Sequence, residues 1–369
     1  MSLGEGGLMR RLEALCHLTR PTRQILTAVA LPWLPVVLLG KLNEHQLGYR
    51  IALLHDPAMH VRLLIATPVL LVLDYVFPKT CRYALAQLLR HGVIPRATRP
   101  RFEATMRSAR RLGDWWLPEI LLIVGALAIS IASVLELVPL ARLRAGRSEA
   151  QIWYALVALP LFEFLLLRSL WRWLIWVYVV VSLARMELDL EPTHPDRRGG
   201  IAFLRLPSLS YASLLLFAMS SVLCAELNNR FSSATTVMGF APMLLSFALI
   251  ATLVAFGPLL LFVPKLARAK RDGLANLGST AAGAGRWFRD RWQDPADADV
   301  VTTNYIQSMA SVVTTYRETV AQLHLILFEK YDLILVLAAA LGPVLPVMMV
   351  RIPPEDWRAL LGLFTGGLT

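Results

Sequence analysis

Arg168-Ser-Leu-Trp-Arg-Trp-Leu-Ile-Trp176, then Met186-Glu-Leu-Asp-Leu-Glu191, then Pro192-Thr-His-Pro-Asp-Arg-Arg-Gly-Gly200 decide how this chain is read. They belong to residues 153–203, which start as an apolar helix of membrane-crossing length. The stretch then passes through an aromatic and basic run and ends in a Pro- and Gly-bounded turn. No other segment gathers so many ionisable, aromatic and turn-forming residues.

Around it, 56% of the 369 residues are hydrophobic and 17% are charged. Soluble domains carry about a quarter charged residues and under half apolar ones. The apolar excess falls in blocks of about 17–25 residues, enough to cross roughly 30 Å of hydrocarbon. The expected fold class is therefore all-α, a polytopic transmembrane helix bundle of about seven spans with a cytoplasmic layer of amphipathic helices.

The expected spans are residues 24–39, 61–77, 116–138, 152–173, 209–227, 237–263 and 333–350. Between them lie an amino-terminal segment 1–23, a helical insert 79–114, a loop 184–208, a long polar region 264–332 and a tail 351–369. Residues 24–263 hold spans one to six. In the polar region, residues 300–330 read as one amphipathic helix, with Tyr305, Met309, Val312, Tyr316, Val320, Leu323 and Leu327 at three- and four-residue steps. Gly273, Gly278 and Gly283, upstream of it, suit close helix packing.

Positive charge orients the chain. Of 37 Lys and Arg, 26 fall in segments 1–23, 79–114, 184–208 and 264–332. Eight fall in the alternate segments, and Arg62, Arg168 and Arg172 lie within spans. That bias places the amino terminus in the cytoplasm and the carboxyl terminus outside. The first span reads as retained, since no small-residue cleavage site accompanies it. Residues 152–188 would be ~55 Å as one helix. Splitting it into two crossings would move the basic 264–332 region outside, so one crossing is expected. The excess, residues 175–188, must then pack on the cytoplasmic segments.

The net charge of +11 fits a basic membrane face attracted to anionic lipid headgroups and needs no nucleic acid. Cys16, Cys81 and Cys224 are scattered, which argues against a disulfide framework or a structural zinc site. No HExxH, phosphate-loop, GxSxG or GxGxxG motif occurs, so no catalytic residue and no cofactor is assigned, and an enzyme has no positive support.

Glu163 stands ten residues beyond Trp153, ~15 Å into the bilayer. A charge there is expensive and commonly marks an ion or proton pathway; the competing reading is a protonated carboxyl held at a kink from Pro160. Arg168 and Arg172 share one face near the inner interface. They snorkel to phosphates beside Trp171, Trp173 and Trp176, or hold an anion or lipid headgroup as an inner basic ring. Asp74, Glu119, Glu136 and Glu226 fall near span ends and read first as wetted acids, with Asp74 and Glu226 kept as permeation candidates.

Glu187, Glu191, His194 and Asp196 offer enough ligand atoms for a divalent ion. The alternative is a structural turn in which Asp196 and Thr193 cap backbone and Gly199-Gly200 reverses the chain. The His-Pro-Asp tripeptide also matches the co-chaperone J-domain, but the helical hairpin of that domain is missing. His45, His55, Asp56 and His60 match no ligand spacing and read as a solvated loop.

Arg62-Leu-Leu-Ile-Ala-Thr-Pro68, Arg99-Pro-Arg-Phe-Glu103, Leu167-Arg-Ser-Leu-Trp-Arg-Trp173, Pro192-Thr-His-Pro-Asp-Arg-Arg-Gly-Gly200 and Ile306-Gln-Ser-Met-Ala310 resemble a family of bacterial multi-span inner-membrane proteins with a THPDRxGG motif. That family carries no known activity. The chain departs from its pattern at Thr67, Asp74 and near Thr303. The resemblance implies a bacterial inner-membrane location and weight on residues 153–203.

The function expected is passage of an ion or small solute, alone or as a homo-oligomer. Two alternatives stand beside it: a membrane scaffold or receptor-like protein acting through its cytoplasmic helices, and a membrane-embedded lipid enzyme using the Glu187–Asp196 cluster.

Overall fold

The structure, a computed structural model, describes residues 21–47, 52–137, 149–230, 241–292 and 300–343. Segment 1–20, the tail 351–369 and the second half of the expected last span lie outside the described residues. All regular elements among the described residues are helices. They are α1 (Pro21–Leu47), α2 (Pro57–Arg90), α3 (Arg99–Asp114), α4 (Trp116–Leu137), α5 (Glu149–Ala184), α6 (Arg205–Arg230), α7 (Ala241–Phe256), α8 (Val263–Trp292), α9 (Val300–Ala321) and α10 (Lys330–Leu341). A 3-10 segment, Gly257–Phe262, joins α7 to α8.

Five helices among the described residues are long and apolar enough to cross a membrane. A sixth crossing is possible if α3 and α4, bent by 43° at Trp115, form one. The result is a polytopic helical bundle.

Local chemistry sets the helix starts. Asp56 caps α2 by accepting from the Ala58 amide at 2.8 Å, and Pro57 takes the first-turn position where no amide is needed. Inside α2, residues Arg62–Ala66 open into a π turn, and the Thr67 hydroxyl returns 2.9 Å to the Arg62 carbonyl. A matching π turn, Tyr154–Ala158, lies inside α5. Each is followed by a proline, Pro68 or Pro160, in the next helical turn. Proline lacks an amide and crowds the carbonyl four residues back, and widening the turn relieves both problems without breaking the helix. The kink expected at Pro160 is thus replaced by a wide turn, and α5 runs unbroken from Glu149 to Ala184.

The packed centre lies among α2, α5 and α6. Trp173 stacks on Tyr211 at 4.5 Å and 14°, and Phe77 lies 5.4 Å from Tyr211, so one aromatic trio ties the three helices. Lipid tails are as apolar as leucine, so this contact is driven by dispersion and close fit. The far end of α5 is buried as its length required. Trp176 is 2% exposed, Val179 and Val180 are 0% exposed, and they share a cluster with Phe102 and Met106 of α3 and Phe262 before α8.

Two expectations need correction. Helix α9 ends at Ala321, short of Lys330, and residues 322–329 form a non-helical strap. Leu323 and Leu327 are nonetheless buried, at 2% and 1% exposed, so the apolar spacing predicted burial but misplaced the backbone. Of the glycines on α8, only Gly273 is at a close approach, where a Cβ would meet Pro192 at 3.1 Å. Gly278 and Gly283 face open space.

Candidate functional site in the buried charge layers

Ionisable side chains meet at three levels along the bundle. At the first, Arg62 and Tyr154 each open a π turn on facing helices. Arg62 donates through Nη1 to the Tyr154 hydroxyl at 2.5 Å and through Nη2 to Glu226 of α6 at 2.7 Å. Its guanidinium also lies 5.7 Å from the Phe162 ring. A buried arginine is tolerable only when its charge is matched, and here the match comes from two other helices.

The second level lies twelve residues further along α2, ~18 Å away. Arg172 donates to both the carbonyl and the carboxylate of Asp74. Arg168, one turn back on α5, approaches the same carboxylate at 3.9 Å. Arg168 is 6% exposed and Glu119 of α4 is also 6% exposed. Glu119 is therefore a buried group rather than a wetted interfacial acid, and Asp74, its side chain 20% exposed, is ion-paired to Arg172. The two arginines turn inward instead of snorkelling outward. Their (i, i+4) spacing did put them on one face, and that face is the inner one.

In height Glu163 stands between the layers, on a side of α5 about 140° around the helix from Arg168. It is half-buried, within Coulombic reach of Arg62, and forms no hydrogen bond with any described residue. Arg62 and Tyr154 were not foreseen as site residues. Their signal was a polar residue six positions before a proline within an apolar run, in both helices.

The third level is the His-Pro-Asp turn. The Asp196 carboxylate accepts from the amides of Arg198 at 2.8 Å, Gly200 at 3.1 Å and Ala202 at 3.1 Å. His194 Nδ1 lies 2.8 Å from its Oδ1, and His194 Nε2 lies 2.8 Å from Nδ1 of His91. Burial works against the charged form of Asp196, but these four hydrogen bonds outweigh it and hold the carboxyl below the usual aspartate range. Gly199 and Gly200 adopt φ of 64° and 86°, as the reversal required, and a Cβ on Gly200 would sit 2.9 Å from Val93.

The strap clamps this turn. His324 donates its amide to the Arg197 carbonyl at 2.9 Å, and Arg198 donates to the Ile326 carbonyl at 3.1 Å. Arg198 and Arg205 share Glu329, and Arg205 also pairs with Asp332 at 2.9 Å. None of these clamp partners was singled out in the sequence.

As a ligand set for a metal, the turn does not assemble. Glu187 and Glu191 are exposed on extended chain beyond the end of α5. Glu191 accepts from the Thr193 hydroxyl at 2.5 Å, so Thr193 donates to a side chain instead of capping backbone. Asp196 is committed to amides. Among the described residues no group of three or more His, Cys, Asp or Glu side chains is placed to hold a metal ion. The histidines near the start of α2 are likewise separate: His60 contacts Trp33 Nε1 at 3.1 Å and the Leu54 carbonyl at 2.9 Å, and His55 contacts Glu44 at 3.2 Å.

No family model, curated protein or solved structure matches the chain. The geometry therefore stands alone: an all-helical bundle whose apolar helices suit an integral membrane protein, carrying charge pairs between its core helices.

Proposed function

We propose that this protein passes an ion or small solute across a bacterial inner membrane. In this reading the amino terminus and the basic end, with α3, α8 and the His-Pro-Asp turn, face the cytoplasm, where anionic lipid headgroups attract them. The reading also places the chain with the THPDRxGG membrane proteins it resembles, working alone or as a homo-oligomer.

The observation that carries the proposal is the pair of cross-helix charge layers, Arg62–Glu226 and Asp74–Arg172, with Glu163 between them and lacking a hydrogen-bond partner among described residues. Charges of this kind are retained inside apolar helices at a cost, and permeation paths are a common reason. Each layer ties helices that would have to separate to admit a solute, so the arrangement corresponds to a closed state. Glu163 supplies the intermediate acid.

Reconstitution into liposomes tests this. Glu163→Gln, which keeps the shape and removes the charge, is expected to lower flux of a monovalent cation or proton by about tenfold or more, roughly the effect of 1.4 kcal/mol in a barrier. Flux indistinguishable from protein-free vesicles for the wild-type chain would sink the proposal.

A second reading is a scaffold working through α8 and α9. Val312 of α9 is 62% exposed, an apolar side chain with no cover in a single chain. Purification that recovers neither a stoichiometric partner nor an oligomer would exclude it.

A further inference from the structure

Behind the bend between α3 and α4 lies a cavity of about 40 Å³ that is partly open to the surface. Its polar walls are Arg168, Arg172 and Glu119, and Phe77, Trp171 and Trp176 supply much of the rest. Arg172 is already committed to Asp74. Arg168 is not. Its one approach to a carboxylate among described residues is 3.9 Å, beyond hydrogen-bond length. A guanidinium presents five N–H donors and keeps its charge, so one that is 6% exposed and lines a cavity calls for an acceptor.

The surrounding charges decide what kind of acceptor. Glu119 in the lining and Asp74 beyond it, paired with Arg172, balance Arg168 and Arg172. A simple anion would upset that balance. A phosphoester with an ammonium beside it would preserve it, with phosphate oxygens on Arg168 and the ammonium on Glu119.

Depth points the same way. Glu119 stands one turn beyond Trp115 and Trp116, which are 47% and 57% exposed. Exposed tryptophans favour the boundary between headgroups and hydrocarbon. Arg101, Arg107 and Arg111 line the exposed face of the adjoining α3. The cavity therefore sits where lipid phosphates lie.

We infer that this cavity is a binding site for a phosphoethanolamine-type zwitterion, with Arg168 holding the phosphate and Glu119 the ammonium. The group is carried by a lipid headgroup or by soluble glycerophosphoethanolamine, whose phosphodiester and ammonium charges also cancel. The site is independent of conduction, since a headgroup held at Arg168 is detectable whether or not a solute crosses.

The test is native mass spectrometry of the full chain taken from equimolar phosphatidylethanolamine and phosphatidylglycerol. Wild type is expected to retain phosphatidylethanolamine about tenfold over phosphatidylglycerol. Arg168→Gln is expected to lose retained lipid, and Glu119→Gln to shift the preference toward phosphatidylglycerol. If Arg168→Gln fails to fold, the switch in Glu119→Gln, checked for wild-type elution and melting, decides alone. A second arm adds soluble glycerophosphoethanolamine to lipid-stripped protein: a raised Tm that Arg168→Lys abolishes assigns the soluble source, and no rise with the lipid retained assigns the membrane source. Equal retention of the two lipids by wild type, with no rise in Tm from the soluble head, would overturn the inference.

Discussion

Two aspartates in this molecule face arginine and histidine neighbours and do opposite things with them. Asp196 spends its carboxylate on three backbone amides and His194, and its turn is locked by a strap whose own groups are paired. Asp74 takes Arg172 fully and Arg168 only at 3.9 Å, beside a cavity. Saturation marks a structural device. An arginine left short of acceptors in a buried layer marks a place where something else binds or passes. Residue types alone do not separate the two, because both contain acid and base at close spacing. The count of satisfied donors does.

The comparison can be attacked from either side. Asp74→Asn strands the buried Arg168 and the partly buried Arg172, and the expected loss is the largest, about 4 kcal/mol, read as a lowered Tm in detergent. Adding Arg172→Gln should restore part of it; strictly additive losses would show that the pair is not coupled. Asp196→Ala leaves three amides unsatisfied and should lower stability by about 3 kcal/mol. It should not alter the lipid preference assigned to the Arg168 cavity, and a changed preference would mean the two regions are not separable.

Gly200→Ala is expected to cost about 2 kcal/mol, through its left-handed backbone and the approach to Val93. A melt unchanged by that substitution would remove strain from the account of the turn.

Acid offers the gentlest probe. The carboxyl of Asp196 is held below its ordinary value of 3.8, so the ionised, hydrogen-bonded form contributes stability above that pH. The contribution is lost as pH falls below 3.8 and through the lowered folded value. Melting curves from pH 6 downward should show an acid-dependent drop in wild type that is missing in Asp196→Asn. Identical pH profiles would place the protonation elsewhere.

Much of this was legible in the sequence, and the exceptions share a physical reason. The unbroken helix through residues 149–184 agrees with the unsplit helix expected from charge bias, where two crossings would have moved nine basic residues across the membrane. The capping role of Asp196 and the reversal at Gly199-Gly200 followed from local chemistry that the chain cannot satisfy otherwise. The inward face of Arg168 and Arg172 followed from their spacing only as far as a shared face; which way that face turned depended on Asp74, 94 and 98 positions earlier. The Arg62–Tyr154–Glu226 layer was hidden for the same reason, since its members come from three helices far apart in the chain. The strap at 322–329 was misread because an apolar residue every three or four positions serves a helix and an irregular segment equally well when both lie on the same core. What fixes the backbone there is the amide of His324 on the Arg197 carbonyl, a contact no local pattern announces.

The central claim is that α5 presents one side to a polar column inside the bundle and the other to lipid. Reaction with a charged, membrane-impermeant thiol reagent tests it most directly, in a chain whose native cysteines are replaced by serine. Cysteine introduced by Arg172→Cys, on the face of α5 that meets Asp74 and about 160° around the helix from residue 174, is expected to react from one side of the membrane. Cysteine introduced by Leu174→Cys, at a position 57% exposed on the outer surface of the helix, is expected to stay protected by lipid. Protection at 172 with ready labelling at 174 would put the wrong face of α5 in water and contradict the account.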